Sequence, residues 1–192
     1  MRLKFLPFLI SLALLAGLIA LLPLLIEAQE SVSASGTLVG LFPGFGLGLA
    51  LATCSYDEQA GSRGLLFVPL AALLGMLMAV LCWAFASVVG AKPALLTLAY
   101  GAVNLLGAWL FFAIVRKIYA AKLPNRKVLL SACASAAAAI MLLFFPLTPF
   151  LHGVIAAAWV SCVGLGIVLI SGRRKRSARA WALNLKSKAP QT

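Results

Sequence analysis

Apolar residues run along this chain in six long stretches, and short polar segments separate them. Each stretch is about 18 residues or longer, which at about 1.5 Å rise per residue is close to the thickness of a bilayer's hydrocarbon core. No water reaches that core, so backbone N–H and C=O groups must bond within the segment, and each stretch predicts a helix. We therefore predict an all-α polytopic membrane protein, a six-helix bundle whose spans cover about residues 5–26, 37–54, 64–89, 94–115, 128–145 and 150–170.

Small residues recur at four-residue spacing within these spans, which indicates faces where helices pack closely. The second span carries a glycine zipper of four members: Gly36, Gly40, Gly44 and Gly48. The third span carries a second stripe: Ala71, Gly75 and Ala79. We expect the glycine helix to lie buried at the centre of the bundle. The fifth span has small residues on every face, so we expect it to be surrounded by protein rather than lipid.

Pro43 precedes Gly44 within the second span, and this pair has two interpretations. It is either a break that frees carbonyl groups for a binding site at membrane depth, or a mild kink in a close-packed helix. Three polar residues of the fourth span share one face: Thr97, Tyr100 and Asn104. They either join helices by hydrogen bonds or, set against the backbone near Pro43, form a site for a small polar solute.

Composition excludes a soluble domain and sets the orientation of the chain. Of the 192 residues, 64% are hydrophobic and 10% are charged, against about 45–50% and about 25% in soluble proteins. The formal net charge is +12, and fifteen of the sixteen Lys and Arg residues fall on alternate polar segments, with Lys92 as the exception. This positive-inside pattern predicts six spans with both termini cytoplasmic, in a bacterial inner membrane.

The chain divides into a transmembrane domain, residues 1–171, and a basic cytoplasmic tail, residues 172–192. We expect the tail to lie against anionic lipid headgroups through six residues: Arg173, Arg174, Lys175, Arg176, Arg179 and Trp181. Nucleic-acid binding is not expected, since a single tryptophan is poor support for base stacking. The first span is read as a retained anchor rather than a cleaved signal peptide, because its apolar core exceeds the usual signal length.

Residues that carry chemistry are few, and none forms a convincing set. No charged residue lies well inside a span, and the adjacent Asp57 and Glu58 are read as part of a solvated loop. His152 has no second ligand type near it in sequence, and the four cysteines are read as small buried packing residues. We expect no catalytic residue, metal or cofactor.

The functional hypothesis is therefore a non-enzymatic accessory, assembly or immunity-type membrane protein that acts by helix–helix contact with another membrane protein or with itself. The alternative is a small solute transporter or channel subunit working as a homo-oligomer, based on the Pro43 break and the polar face of the fourth span. An intramembrane enzyme acting on lipid is disfavoured, because it should show charged or histidine residues at headgroup depth.

Overall fold

A computed structural model describes residues 3–27, 32–55, 60–89, 93–119, 121, 123–143 and 149–186. These residues fold into six helices, which confirms the all-α prediction. The helices are α1 (Phe5–Glu27), α2 (Val32–Cys54), α3 (Ala60–Val89), α4 (Pro93–Ile118), α5 (Asn125–Leu142) and α6 (Pro149–Lys186).

Three helical segments are long and apolar enough to cross a membrane, which supports the assignment to the membrane class. They are Ala94–Ile118, Asn125–Leu142 and Gly153–Ile170. The first three helices contribute shorter apolar segments, Phe5–Leu21, Leu41–Cys54 and Leu66–Cys82.

The largest departure from the predicted bounds is at the end of α6. The sixth span was expected to end near residue 170, yet the helix continues to Lys186. Residues 171–186 are rich in Ala, Leu, Arg and Lys, which favour helix, and a single Gly172 does not interrupt it. The basic tail is therefore helical over most of its length and continuous with the preceding span.

The fifth helix begins and ends three residues earlier than predicted. Pro124 occupies the N-cap position with extended backbone angles, φ −69° and ψ 131°, and the helical segment starts directly after it. At the other end Leu143 N–H bonds to the carbonyls of Ala139 and Ile140, which closes the last turn. Pro146 lies three residues further on and has no N–H with which to extend the ladder.

The six helices form a closed ring in chain order. Each helix packs against the next, and α6 packs back against α1. The helix with the most neighbours is α6, which contacts α1, α2, α4 and α5, whereas α2 contacts α1, α3 and α6. The glycine helix α2 is one member of this ring, and its most extensive packing is against α3. On the other side of the ring, a Cβ on Gly164 would overlap the Leu12 side chain, so α1 comes close to α6 there.

Neighbouring helices run in opposite directions, and one end of the bundle is defined by contacts between their termini. At the start of α1, the Lys4 main-chain N–H donates to the Cys54 carbonyl at 2.8 Å, at the end of α2. Near the start of α3, the Phe67 ring packs edge-on against Tyr119, just beyond α4, with centroids 5.1 Å apart. The turn that leads into α5 follows Tyr119 directly. We call this end of the molecule the basic end, because the basic residues whose side chains the structure describes lie there: Lys4, Arg116, Lys117, Arg126 and Lys127.

Aromatic rings fill the core above the basic end. Phe111 of α4 packs edge-on against Phe67 of α3 at 5.6 Å and against Trp159 of α6 at 5.8 Å, measured between ring centroids. Such edge-to-face pairs contribute about 0.5–1.5 kcal/mol each beyond the area they bury. The cluster joins three helices through one buried side chain.

Candidate functional site

The glycine stripe of α2 faces α3 within the same chain. A Cβ on Gly44 would overlap the carbonyl oxygen of Ala71, and a Cβ on Gly48 would lie 3.1 Å from the Ala71 Cβ and 3.2 Å from the Val68 Cα. The two helices therefore approach until backbone meets backbone, as stacked small residues allow. Gly44 and Gly48 are not free to bind a partner, since α3 covers them.

The structure describes the surroundings of the remaining predicted small residues only in part. Gly75 is buried and Ala79 is half-buried along α3, above the fully buried Ala71. Gly36 and Gly40 lie in the first half of α2, and their surroundings are outside what the structure describes.

Pro43 is buried within a helix that runs unbroken from Val32 to Cys54. The close contact with α3 begins at the next residue, Gly44. A break that opens the backbone at this depth is not observed in the described residues. Pro43 therefore belongs to a packed helix.

The predicted polar face of α4 is mostly buried. Tyr100 and Asn104 are buried, and Thr97 is half-buried. The Asn104 Nδ2 donates to the Tyr100 carbonyl of its own helix at 2.8 Å, and the Ser135 hydroxyl of α5 makes a long hydrogen bond of 3.5 Å to the Asn104 carbonyl. Over the described residues α2 and α4 make no contact, and α3 packs against both. The structure therefore does not bring Pro43 to the polar face.

One hydrogen bond between helices was missed by sequence reasoning. The Ser131 hydroxyl of α5 donates to the Cys162 carbonyl of α6 at 2.9 Å. Gly166 makes room for it, because a Cβ there would overlap the Ser131 hydroxyl oxygen. A serine near the start of one span and a glycine near the end of the next would have suggested this pairing in an antiparallel arrangement.

Arg116 links the end of α4 to the start of α5 across the α4–α5 turn, residues 116–127. Its Nη2 donates to the Leu123 carbonyl at 2.6 Å and to the Asn125 Oδ1 at 2.5 Å, so it spans the turn from one helix to the other. Its Nε is buried and has no hydrogen-bond partner among the described residues. The first turn of α5 contains Arg126 and Lys127, contains no acidic residue and has no side-chain cap.

Tyr119 lies at the inner side of this turn. Only 4% of its surface is exposed, and its hydroxyl has no hydrogen-bond partner in the described part of the chain. Burial raises the pKa of Tyr119 to about 12, since an ionised phenolate would lose its hydration. The hydroxyl therefore stays neutral at physiological pH.

The fifth helix is not surrounded by the other helices of this chain and presents an open face. It packs only against α4 and α6 over the described residues. Five exposed residues share the face turned away from them, at intervals of three, four and seven: Leu130, Cys133, Ala134, Ala137 and Met141. We call this set the α5 face. Leu130 is 69% exposed and Met141 is 70% exposed, with smaller side chains between them.

The predicted tail residues lie on the α6 helix, and their side-chain surroundings are outside the described part of the structure: Arg173, Arg174, Lys175, Arg176, Arg179 and Trp181. Asp57, Glu58 and Lys92 also fall outside the described residues, as do the surroundings of the His152 side chain. The four cysteines are free thiols, with Cys54 buried and Cys133 exposed. The exposure of Cys133 differs from the prediction and follows from the open α5 face.

Among the described residues, no three His, Cys, Asp or Glu side chains lie together as a group that could hold a metal ion. No protein-family model, curated protein or solved structure matches the chain. The described residues thus show one covered contact, between the α2 glycines and α3, and two open regions, the α5 face and the basic end.

Proposed function

We propose that the protein is a non-enzymatic, multi-pass inner-membrane protein that acts by helix–helix contact with another membrane protein. Its class is accessory, assembly or immunity-type. In this proposal all six helices span the bilayer, and both termini are cytoplasmic together with the basic end. The surface that binds the partner is the α5 face.

The proposal rests on one observation: the exposed side chains in the middle of the α5 face are small. Cys133, Ala134 and Ala137 form a shallow exposed strip between the larger Leu130 and Met141. Small side chains let a second helix approach closely, and association within a bilayer depends on such packing because lipid is as apolar as the helices. The glycine contact between α2 and α3 is the same device already in use inside the chain.

The six-span arrangement is supported by helix length and by charge. The three helices with shorter apolar segments, α1, α2 and α3, contain 23, 23 and 30 residues, which at about 1.5 Å per residue is about 35 Å or more. They pack beside the three longer apolar segments within one ring. The basic residues whose side chains the structure describes lie at one end of that ring, and the positive-inside rule would place that end on the cytoplasmic side.

The alternative, a transporter or channel subunit, loses its strongest support. Its candidate site combined an open backbone at Pro43 with the polar face of α4. The described helix α2 is continuous through Pro43, and α3 lies between α2 and α4. The Asn104 side-chain amide donates within its own helix, and α5 contacts only the Asn104 main-chain carbonyl.

A photo-crosslinking residue at position 134 tests the proposal in native membranes. We expect a discrete adduct between this chain and a second membrane protein. The matched control is the same residue at Ala13, an exposed alanine of α1, which should give no discrete adduct. Adducts with lipid alone at position 134 would contradict the proposal, as would the same protein adduct from both positions.

A further inference from the structure

We propose that the partner of the α5 face is a transmembrane helix with an acidic side chain, Asp or Glu, at its cytoplasmic end, where the carboxylate pairs with Arg126. The inference rests on the proposed function, since it assigns the chemistry of the helix that the α5 face binds. It adds a charged contact to a surface whose other members are small or apolar.

Arg126 continues the α5 face to the basic end of the molecule. It lies four residues before Leu130 and seven before Cys133, so the three side chains share one side of the helix. All three are exposed, so the described part of the chain leaves the guanidinium of Arg126 uncovered. The α5 face thus ends in a positive charge at the start of its helix.

A helix that packs on the small side chains of the α5 face must also pass close to Arg126. Seven residues separate Arg126 from Cys133, which at about 1.5 Å per residue is about 10 Å along α5. Membrane helices commonly cross at about 20°, so two that touch at Cys133 remain neighbours over that distance. An arginine covered in this way loses hydration, which is unfavourable unless an opposite charge lies beside it. The fitting group is a carboxylate, whose two oxygens match the forked N–H donors of a guanidinium.

The same charge disfavours a second copy of this chain as the occupant. Copies in one membrane share one orientation, so in a symmetric pair their α5 helices would run in the same direction. Arg126 of one copy would then face Arg126 of the other, and the half-buried Lys127 would add a further positive charge on each side. Like charges brought together across an interface are unfavourable. Charge complementarity therefore points to a different protein, which supplies the acidic residue.

Photo-crosslinking in native membranes tests the contribution of this charge. The crosslinking residue stays at position 134, and the yield of the partner adduct is compared among variants. Arg126→Gln should lower the yield about threefold, and Arg126→Glu about tenfold, because the second change sets two negative charges side by side. Arg126→Lys should retain most of the yield. The matched control is Lys117→Gln, which removes an exposed base at the end of α4 and should leave the yield unchanged.

A zero-length crosslink identifies the acidic residue of the partner. A water-soluble carbodiimide condenses an amine and a carboxylate into an amide, and the water lost converts the carbodiimide to a urea. Inverted membrane vesicles that contain the Arg126→Lys chain are treated, and the conjugates are mapped by mass spectrometry. We expect the amine at position 126 to be joined to an Asp or Glu beside an apolar span of the protein captured from position 134. The Lys117 amine should give no such conjugate.

The outcomes separate this inference from the proposed function. If position 134 captures another membrane protein but Arg126→Glu leaves the yield unchanged, the α5 face binds a partner without this ion pair, and the inference alone fails. It also fails alone if position 126 gives no carboxylate conjugate in that complex, the result expected if Arg126 contacts a lipid phosphate. If position 134 captures a second copy of this chain, or lipid alone, both proposals fail.

Discussion

Gly44 of α2 lies against the carbonyl oxygen of Ala71 of α3, so closely that a Cβ at residue 44 would overlap that oxygen. Ala71 is fully buried, and Gly48 packs over it one turn further along α2. The two helices therefore form one unit whose spacing is set by missing side chains. A surface used in this way cannot also receive a partner, which directs attention to the α5 face.

Replacing Gly44 or Gly48 with alanine should lower the free energy of unfolding by different amounts. Gly44→Ala should lower the free energy of unfolding by about 1–3 kcal/mol, because the added methyl meets main-chain atoms that cannot move aside cheaply. Gly48→Ala should cost less, since its nearest neighbours lie at 3.1 and 3.2 Å. Gly17→Ala is the control, because no atom lies within 4 Å of its added Cβ. Thermal unfolding in detergent measures all three, and equal midpoints for Gly44→Ala and Gly17→Ala would contradict the contact.

The architecture was predictable from sequence where it depends on local pattern. Six helices occur close to the predicted positions, since long apolar runs leave the backbone no alternative in a bilayer. Gly44 and Gly48 lie against α3, and their four-residue spacing places them on one face of α2. The helix that packs against this stripe was not predictable, because a face of small residues fits many helices. Nothing in the residue pattern decides that α3 of the same chain, rather than a helix of another chain, covers the stripe.

Two serine variants compare the stability supplied by a hydrogen bond between helices with that supplied by a hydrogen bond within one helix. Ser131→Ala removes the bond to the Cys162 carbonyl and should lower stability by about 0.6 kcal/mol, and by no more than about 2 kcal/mol. Ser161→Ala is the matched control, since its hydroxyl bonds only to the Ala157 carbonyl of its own helix at 2.8 Å. We expect a smaller change there. Thermal unfolding decides the point, and a larger loss for Ser161→Ala would contradict it.

Removing the Tyr119 hydroxyl should make the folded protein more stable. Tyr119→Phe keeps the ring contact with Phe67 and removes a buried donor that has no partner among the described residues, so stability should rise by about 1–3 kcal/mol. Tyr119→Leu removes the edge-on ring pair as well and should lower stability. Destabilisation by the phenylalanine variant would show that the hydroxyl has a partner.

Ionisation of Tyr119 should make the stability of the protein fall at alkaline pH. Burial raises the pKa of Tyr119 from its ordinary value near 10 to about 12 in the folded protein. The unfolded chain then loses this proton more readily, so stability from this group is full below about pH 10 and falls as the pH rises toward 12. Tyr119→Phe should remove that part of the alkaline loss. An unchanged alkaline profile in the variant would place the responsible group elsewhere.

The orientation proposed for the basic end is tested by labelling from one side. A single cysteine at Lys117 or Arg126, in a chain whose native cysteines are alanine, should react with a membrane-impermeant thiol reagent only after the membrane is permeabilised. A cysteine at position 92 should react in intact spheroplasts. Labelling of residue 117 or 126 from outside would contradict the orientation.

The long-range features of the candidate surfaces were beyond the reach of sequence. Pro43 and Asn104 looked compatible as parts of one site, because nothing local shows which helices are neighbours. The ring order separates them by α3, and the same order leaves the α5 face open. The small residues of α5 indicated close packing, and the structure shows two covered sides and one uncovered one. Composition identifies such a helix, and only the tertiary arrangement identifies its free face.

Affinity purification from native membranes, with mass spectrometry of the proteins recovered, tests the central claim most directly. Three chains are compared: the wild type, Ala137→Leu on the α5 face, and the matched Ala13→Leu on the exposed side of α1. We expect the wild type and Ala13→Leu to recover the same membrane protein in stoichiometric amount, and Ala137→Leu to lose it while remaining folded. Recovery of the wild-type chain with itself and lipid alone would contradict the claim, as would full retention of the partner by Ala137→Leu.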